Sequence, residues 1–215
     1  MKQRSTRRQA AALIGGALVG AVIGVALARA SDGAAGRLMP MPASLLLALF
    51  VYLLCILIHE IGHLAAGALA GFRPLLLIAG PLRLERSNGR TAASLNRSVS
   101  LAGGLAICTP VGVHDLRRRT MVMAAGGPLA SLVFGVQCLA IWMAVSQAIA
   151  GGPGAASAVS VMLLFGGVVS LGIGMLTLLP MRAGGFYSDG ARILRLMRQD
   201  EETEREVALM ALTGL

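Results

Sequence analysis

The sequence predicts an α-helical integral membrane protein with about four transmembrane helices and a small membrane-associated β-hairpin or sheet between the second and third. Composition is the first reason. Of 215 residues, 56% are hydrophobic and only 13% charged, whereas about a quarter of a soluble domain is charged. Mean hydropathy is +0.75, and 28 glycines suit helices that pack closely in a bilayer. Length is the second. Apolar runs near 10–29, 44–69, 121–149 and 157–180 can each cross a hydrocarbon core about 30 Å thick, which takes about 20 helical residues. Charge placement is the third, because basic residues collect in alternate connectors.

The first run follows Lys2, Arg4, Arg7 and Arg8. Ala28-Arg29-Ala30 before Ser31 also allows a secretory signal, but the apolar run exceeds a usual signal core and Arg29 interrupts the small-residue site. A retained anchor is expected. With the N-terminus in the cytoplasm, the 30–43 connector lies outside with only Asp32 and Arg37. The 70–120 connector then lies inside with Arg73, Arg83, Arg86, Arg90, Arg97 and Arg117-Arg118-Arg119. The uncharged turn at 148–156 lies outside, and the tail with Arg182, Arg192, Arg195 and Arg198 lies inside.

This divides the chain into a basic N-terminus, first helix and external connector (1–42), a core (43–195) and a cytoplasmic C-terminal helix (196–215). Within the core, short apolar runs at 72–98 are broken by Gly80-Pro81 and by Ser87-Asn88-Gly89, a hairpin turn signal. That region reads as a small sheet at the cytoplasmic membrane face. It is either a connector or a strand edge that captures an extended segment by β-augmentation.

The net charge of +9 does not indicate nucleic acid. Aromatic residues are only 4%, too few for a base-stacking platform, and the basic excess follows topology. The lipid bilayer and its anionic headgroups are the expected partner of those loops. Cys55, Cys108 and Cys138 are far apart and odd in number, so they form neither a disulfide framework nor a metal-ligand spacing.

Within the second apolar run stand His59-Glu60-Ile61-Gly62-His63. Histidines four apart project from one helix face and can both reach a single Zn²⁺. Glu60 lies beside them, placed to take a proton from water activated by the metal. Three ionisable residues in five positions are costly in lipid, at about 2.5–3.5 kcal/mol for an uncompensated acidic side chain. Two packed core histidines with a neutral Glu60 are the alternative.

Catalytic zinc takes three protein ligands, so a third is needed. His114 lies outside the apolar runs, next to the basic cluster. Asp189, in LLPMRAGGFYSDGAR (178–192), is the better candidate, because topology puts it at the same cytoplasmic end as His59 and His63. Pro180 and Gly184-Gly185 would break the fourth helix there and let irregular chain turn a carboxylate inward. Asp189 as a helix N-cap is the alternative.

HEIGH (59–63), AAGGPLAS (124–131) and LLPMRAGGFYSDGAR (178–192) together resemble, in order, the three motifs of the site-2 protease family of intramembrane zinc metalloproteases. The resemblance covers residues 44–195 and implies a three-helix catalytic core. It implies one Zn²⁺ per chain on His59, His63 and Asp189, with Glu60 as general base. The activity implied is hydrolysis of peptide bonds in or near transmembrane segments of a membrane protein substrate. Ser131 and Thr177 stand where the family has asparagines thought to hold substrate or transition state, and become candidate substrate-binding residues. The chain then looks like a minimal family core plus one N-terminal helix, in a bacterial inner membrane with both termini cytoplasmic. A catalytically silent relative that binds membrane proteins is the first alternative. A metal transporter is the second, and few polar residues at 157–180 count against it.

Overall fold

A computed structural model of the chain describes residues 41–87, 89–98, 103–149, 158–183, 186–198 and 201–213. The apolar run expected to form a first helix near 10–29 lies outside the described residues.

Three helices, α1 (Met41–Leu69), α2 (Leu116–Ile149) and α3 (Ala158–Leu178), are long and apolar enough to cross a membrane. Each packs on the other two, and their outward faces are apolar, with Leu46, Phe50, Val136 and Val168 all exposed. A helix hydrophobic all round suits lipid on one side and protein on the other. The core between them holds Ala48, Val51 and Cys55 of α1 with Phe165 of α3. Where α1 crosses α2 the backbones meet at glycines. A Cβ on Gly126 would strike the Gly62 carbonyl, and one on Gly62 would strike that of Gly126. Small residues at the crossing are what permit this approach.

α2 begins at Leu116, five residues before the apolar run expected at 121, so the arginine cluster forms its first turn. Two of these arginines cap other helices. Arg119 donates to the carbonyls of Ala70 and Gly71 just past α1, and to those of Val111, Gly112 and His114. Cations at a helix C-terminus satisfy orphan carbonyls and oppose the dipole.

Between α1 and α2 runs an antiparallel sheet in the order β3-β2-β1-β4, formed by β1 (Phe72–Ala79), β2 (Leu82–Ser87), β3 (Arg90–Leu95) and β4 (Leu105–Pro110). The strands expected within 72–98 are β1 to β3. β2 and β3 pair through Ser87 and Arg90 on either side of 88–89, with Gly89 at φ +76°. The fourth strand was not anticipated. β4 pairs with β1 from Phe72↔Pro110 to Ile78↔Leu105 and forms one edge of the sheet. Leu77 and Ile78 of β1 are buried, and β1 packs against α1.

α3 stops at Leu178, two residues before Pro180, as expected of a residue that bars helical geometry in the one preceding it. A short hairpin follows, β5 (Arg182–Ala183) with β6 (Phe186–Tyr187), then α4 (Asp189–Arg198) and α5 (Glu201–Thr213). α4 lies against α2 and α3. Arg117 of α2 donates to the Leu196 and Met197 carbonyls near its C-terminal end, holding that end in place.

Candidate metal centre

His59 and His63 lie one turn apart on α1, both buried. His59 is ten residues from the C-terminal end of α1, about 15 Å along the helix at 1.5 Å per residue. Asp189 reaches them from outside the three long helices, as the first residue of α4. Its Oδ2 is 3.2 Å from His59 Nε2 and its Oδ1 is 3.3 Å from His63 Nε2, while the two Nε2 atoms are 3.2 Å apart. Among the described residues these three side chains form a group able to hold a metal ion.

The outer nitrogens are also engaged. His63 Nδ1 is 2.8 Å from the Met123 carbonyl, which can only accept, and 3.3 Å from the Gly127 N–H; the shorter contact is satisfied with the proton on Nδ1. His59 Nδ1 is 2.9 Å from the Ser131 hydroxyl. With Nδ1 protonated, each Nε2 presents a lone pair, and these lone pairs face each other and a carboxylate. Such a cluster of acceptors could be satisfied by a cation among them. Burial alone would raise the Asp189 carboxyl, but when the His59 and His63 imidazoles carry protons on Nε2 they donate to it, which outweighs burial and brings the value down to about 2. The carboxylate is therefore anionic at neutral pH, the state in which it can bind metal.

The N-cap of α4 is Ser188 rather than Asp189. Its Oγ accepts from the Ala191 N–H at 3.3 Å, two residues into the helix, while its carbonyl receives the first helical bond from Arg192. The same hydroxyl donates to the Leu179 carbonyl at 2.6 Å and accepts from the Met181 N–H at 3.0 Å. One serine thus closes the base of the hairpin and starts α4, leaving the neighbouring carboxylate free to face the histidines. Tyr187 adds a second tie, its ring lying 4.9 Å from the Arg182 guanidinium and 4.0 Å from that of Arg195. In the sequence, Ser188 ahead of Asp189-Gly190 and ARILRL is itself a helix-capping signal.

Glu60 is 7% exposed and lines the same cleft, about 460 Å³ in volume, as His59, His63 and Asp189. Another wall is Gly103 and Gly104 with the first residues of β4, Leu105 and Ala106. Gly104 sits at φ +110°, and a Cβ there would fall on Glu60 Oε1, so glycine is what lets this backbone pass over the carboxylate. Thr177 also lines the cleft, its hydroxyl donating to the Gly174 carbonyl of its own helix at 3.3 Å. Ser131 has no exposed surface and lies behind His59. His114 is outside the site, its side chain 90% exposed beside Asp115. Burial pushes the Cys108 thiol up to about 11, and Cys55 is buried in the helix core.

Gly127 of α2 is in contact with the site. A Cβ there would fall on the His63 imidazole. Gly127→Ala is expected to rotate that ring and weaken metal binding by roughly 10–100-fold, the range seen when support of a ligating histidine is lost. Competition against a chromophoric chelator measures it, and unchanged affinity would show that the ring has room to move.

A comparison with protein-family models finds no match, and comparisons with curated proteins and with solved structures find none either.

Proposed function

We propose that this chain is a zinc-dependent endopeptidase that hydrolyses peptide bonds in or beside transmembrane segments of other membrane proteins. The observation that carries the reading is the meeting of His59, His63 and Asp189 with Glu60 in one cleft. The donor set fits zinc. Two ligands each about 2.0–2.1 Å from one tetrahedral ion lie about 3.3–3.4 Å apart. Here the two Nε2 atoms are 3.2 Å apart, and each lies 3.2 or 3.3 Å from a different oxygen of the Asp189 carboxylate. Two imidazoles and one carboxylate also leave a fourth position open, as in catalytic rather than structural sites.

When bound, zinc polarises a carbonyl and acidifies water. The protein does the rest. His59, His63 and Asp189 hold the ion, and Glu60 takes a proton from water and delivers it to the leaving amine. A substrate helix resists attack because its carbonyls are bonded within the helix, so it must be drawn into extended form. β4 supports that step, since it is an edge strand whose first residues form the cleft wall. An extended segment added to β4 would run across the cleft in front of Glu60. This moves the capturing edge from 72–98, where the sequence suggested it, to 105–110.

The membrane setting follows from three helices long and apolar enough to span it. A bacterial inner membrane with both termini cytoplasmic agrees with the placement of arginines.

The test is a comparison of membrane proteomes from cells carrying the wild type and Glu60→Gln. One or a few membrane proteins are expected to accumulate uncut in the variant. Identical proteomes under conditions where both chains are made would refute the reading.

A further inference from the structure

Behind the histidines lies a seam of buried polar groups that the proteolytic chemistry does not use. Ser131 of α2 is 0% exposed, its Oγ 2.9 Å from His59 Nδ1, and it does not line the cleft. The Ser131 carbonyl accepts from Ser170 Oγ of α3 at 2.9 Å, and Ser170 is equally buried. Cys55, one turn before His59, places its Sγ 3.6 Å from the Gly166 carbonyl, one turn before Ser170. The seam joins all three long helices at His59.

We propose that Ser131 is a positioning residue for His59: its hydroxyl accepts the Nδ1 proton, so that Nε2 keeps its lone pair for the metal, and Ser170 holds Ser131 in place. The inference rests on the metal-centre reading and replaces the substrate contact expected of this position. A neutral imidazole carries its proton on one nitrogen only, and the partner of the other nitrogen selects which one ligates. The two histidines differ here. His63 is anchored by a backbone carbonyl, present whatever side chain occupies 123. His59 depends on one hydroxyl. Without it, the Nδ1 proton would be buried and unpaired, or would move to Nε2, where the metal binds.

The test uses the full chain purified in detergent, with zinc as the probe and a chromophoric chelator as competitor. Ser131→Ala removes the acceptor. Ser131→Cys keeps nearly the same volume with a much weaker acceptor, so it covers the case in which alanine impairs assembly. Ser131→Thr retains the hydroxyl. Ser160→Ala deletes another buried serine hydroxyl, 17 residues before Thr177 on α3 and roughly 25 Å from the site by helical rise.

Ser131→Ala and Ser131→Cys are expected to lose roughly 10–100-fold in zinc affinity. Ser131→Thr should fall nearer the wild type than the alanine variant, and Ser160→Ala should match the wild type. The thermal midpoint in chelator should move no more for Ser131→Ala than for Ser160→Ala, a split that a purely structural role would not produce. Wild-type affinity in either Ser131→Ala or Ser131→Cys overturns the proposal, and so does an equal loss in Ser160→Ala. A wild-type chain that takes up no zinc removes the metal centre itself, which is a separate and recognisable result.

Discussion

Replacing His59, His63 or Asp189 by alanine is expected to reduce bound zinc from about one ion per chain to below about a tenth. The three candidate ligand atoms sit within 4.8 Å of one another, and no other histidine, cysteine or acidic side chain among the described residues joins that group. Removing one leaves two ligands, which do not retain zinc through purification in the presence of a mild chelator. Asp189→Asn is the finer probe, because it keeps the shape and removes the charge that balances the ion. Metal analysis of the purified variants reads the outcome. Loss in His59→Ala with none in Asp189→Ala would remove Asp189 as the third ligand and leave its carboxylate as a hydrogen-bond partner of the imidazoles.

Glu60→Gln is expected to keep its zinc and lose cleavage by about 10²–10⁴-fold, the usual contribution of a positioned general base. Glutamine has the size of glutamate, so the ligands on either side should not move. It cannot accept the proton that water must give up. Glu60→Asp should fail for a different reason, because the carboxylate is withdrawn by one methylene from a cleft that packs Gly104 directly against it. Cleavage of a purified membrane-spanning peptide in micelles, run beside metal analysis, separates the two effects. Undiminished cleavage by a zinc-loaded Glu60→Gln chain would assign the proton transfer to another group.

Local chemistry was legible in the sequence, and long-range assembly only where topology constrained it. His59 and His63 needed nothing beyond a helix and a spacing of four. Asp189 required the additional step of placing two apolar runs with the same direction across the bilayer. Ser131 could not be placed in this way. α2 is apolar all round, so no periodicity says which face turns toward α1, and the hydroxyl's proximity to His59 appears only when the helices cross at Gly62 and Gly126. β4 is not legible in the sequence because LAICTP is a short run whose strand identity depends on β1, more than 25 residues earlier. The arginines at 117–119 are a topological signal in the sequence, and Arg117 and Arg119 also cap α4 and the end of α1. The two roles share one position because a membrane helix both starts and is anchored at the interface.

The third proposed ligand sits 130 positions after the first and beyond all three long helices. At roughly 5–20 residues per second, His59 is made about 6–26 s before Asp189 emerges. During that interval the nascent chain holds two imidazoles and one glutamate without the carboxylate that completes them. On the zinc reading proposed above, competence to hold the ion arrives last, after the long helices have been synthesised, and a chain interrupted before residue 189 would lack one of its three proposed ligands.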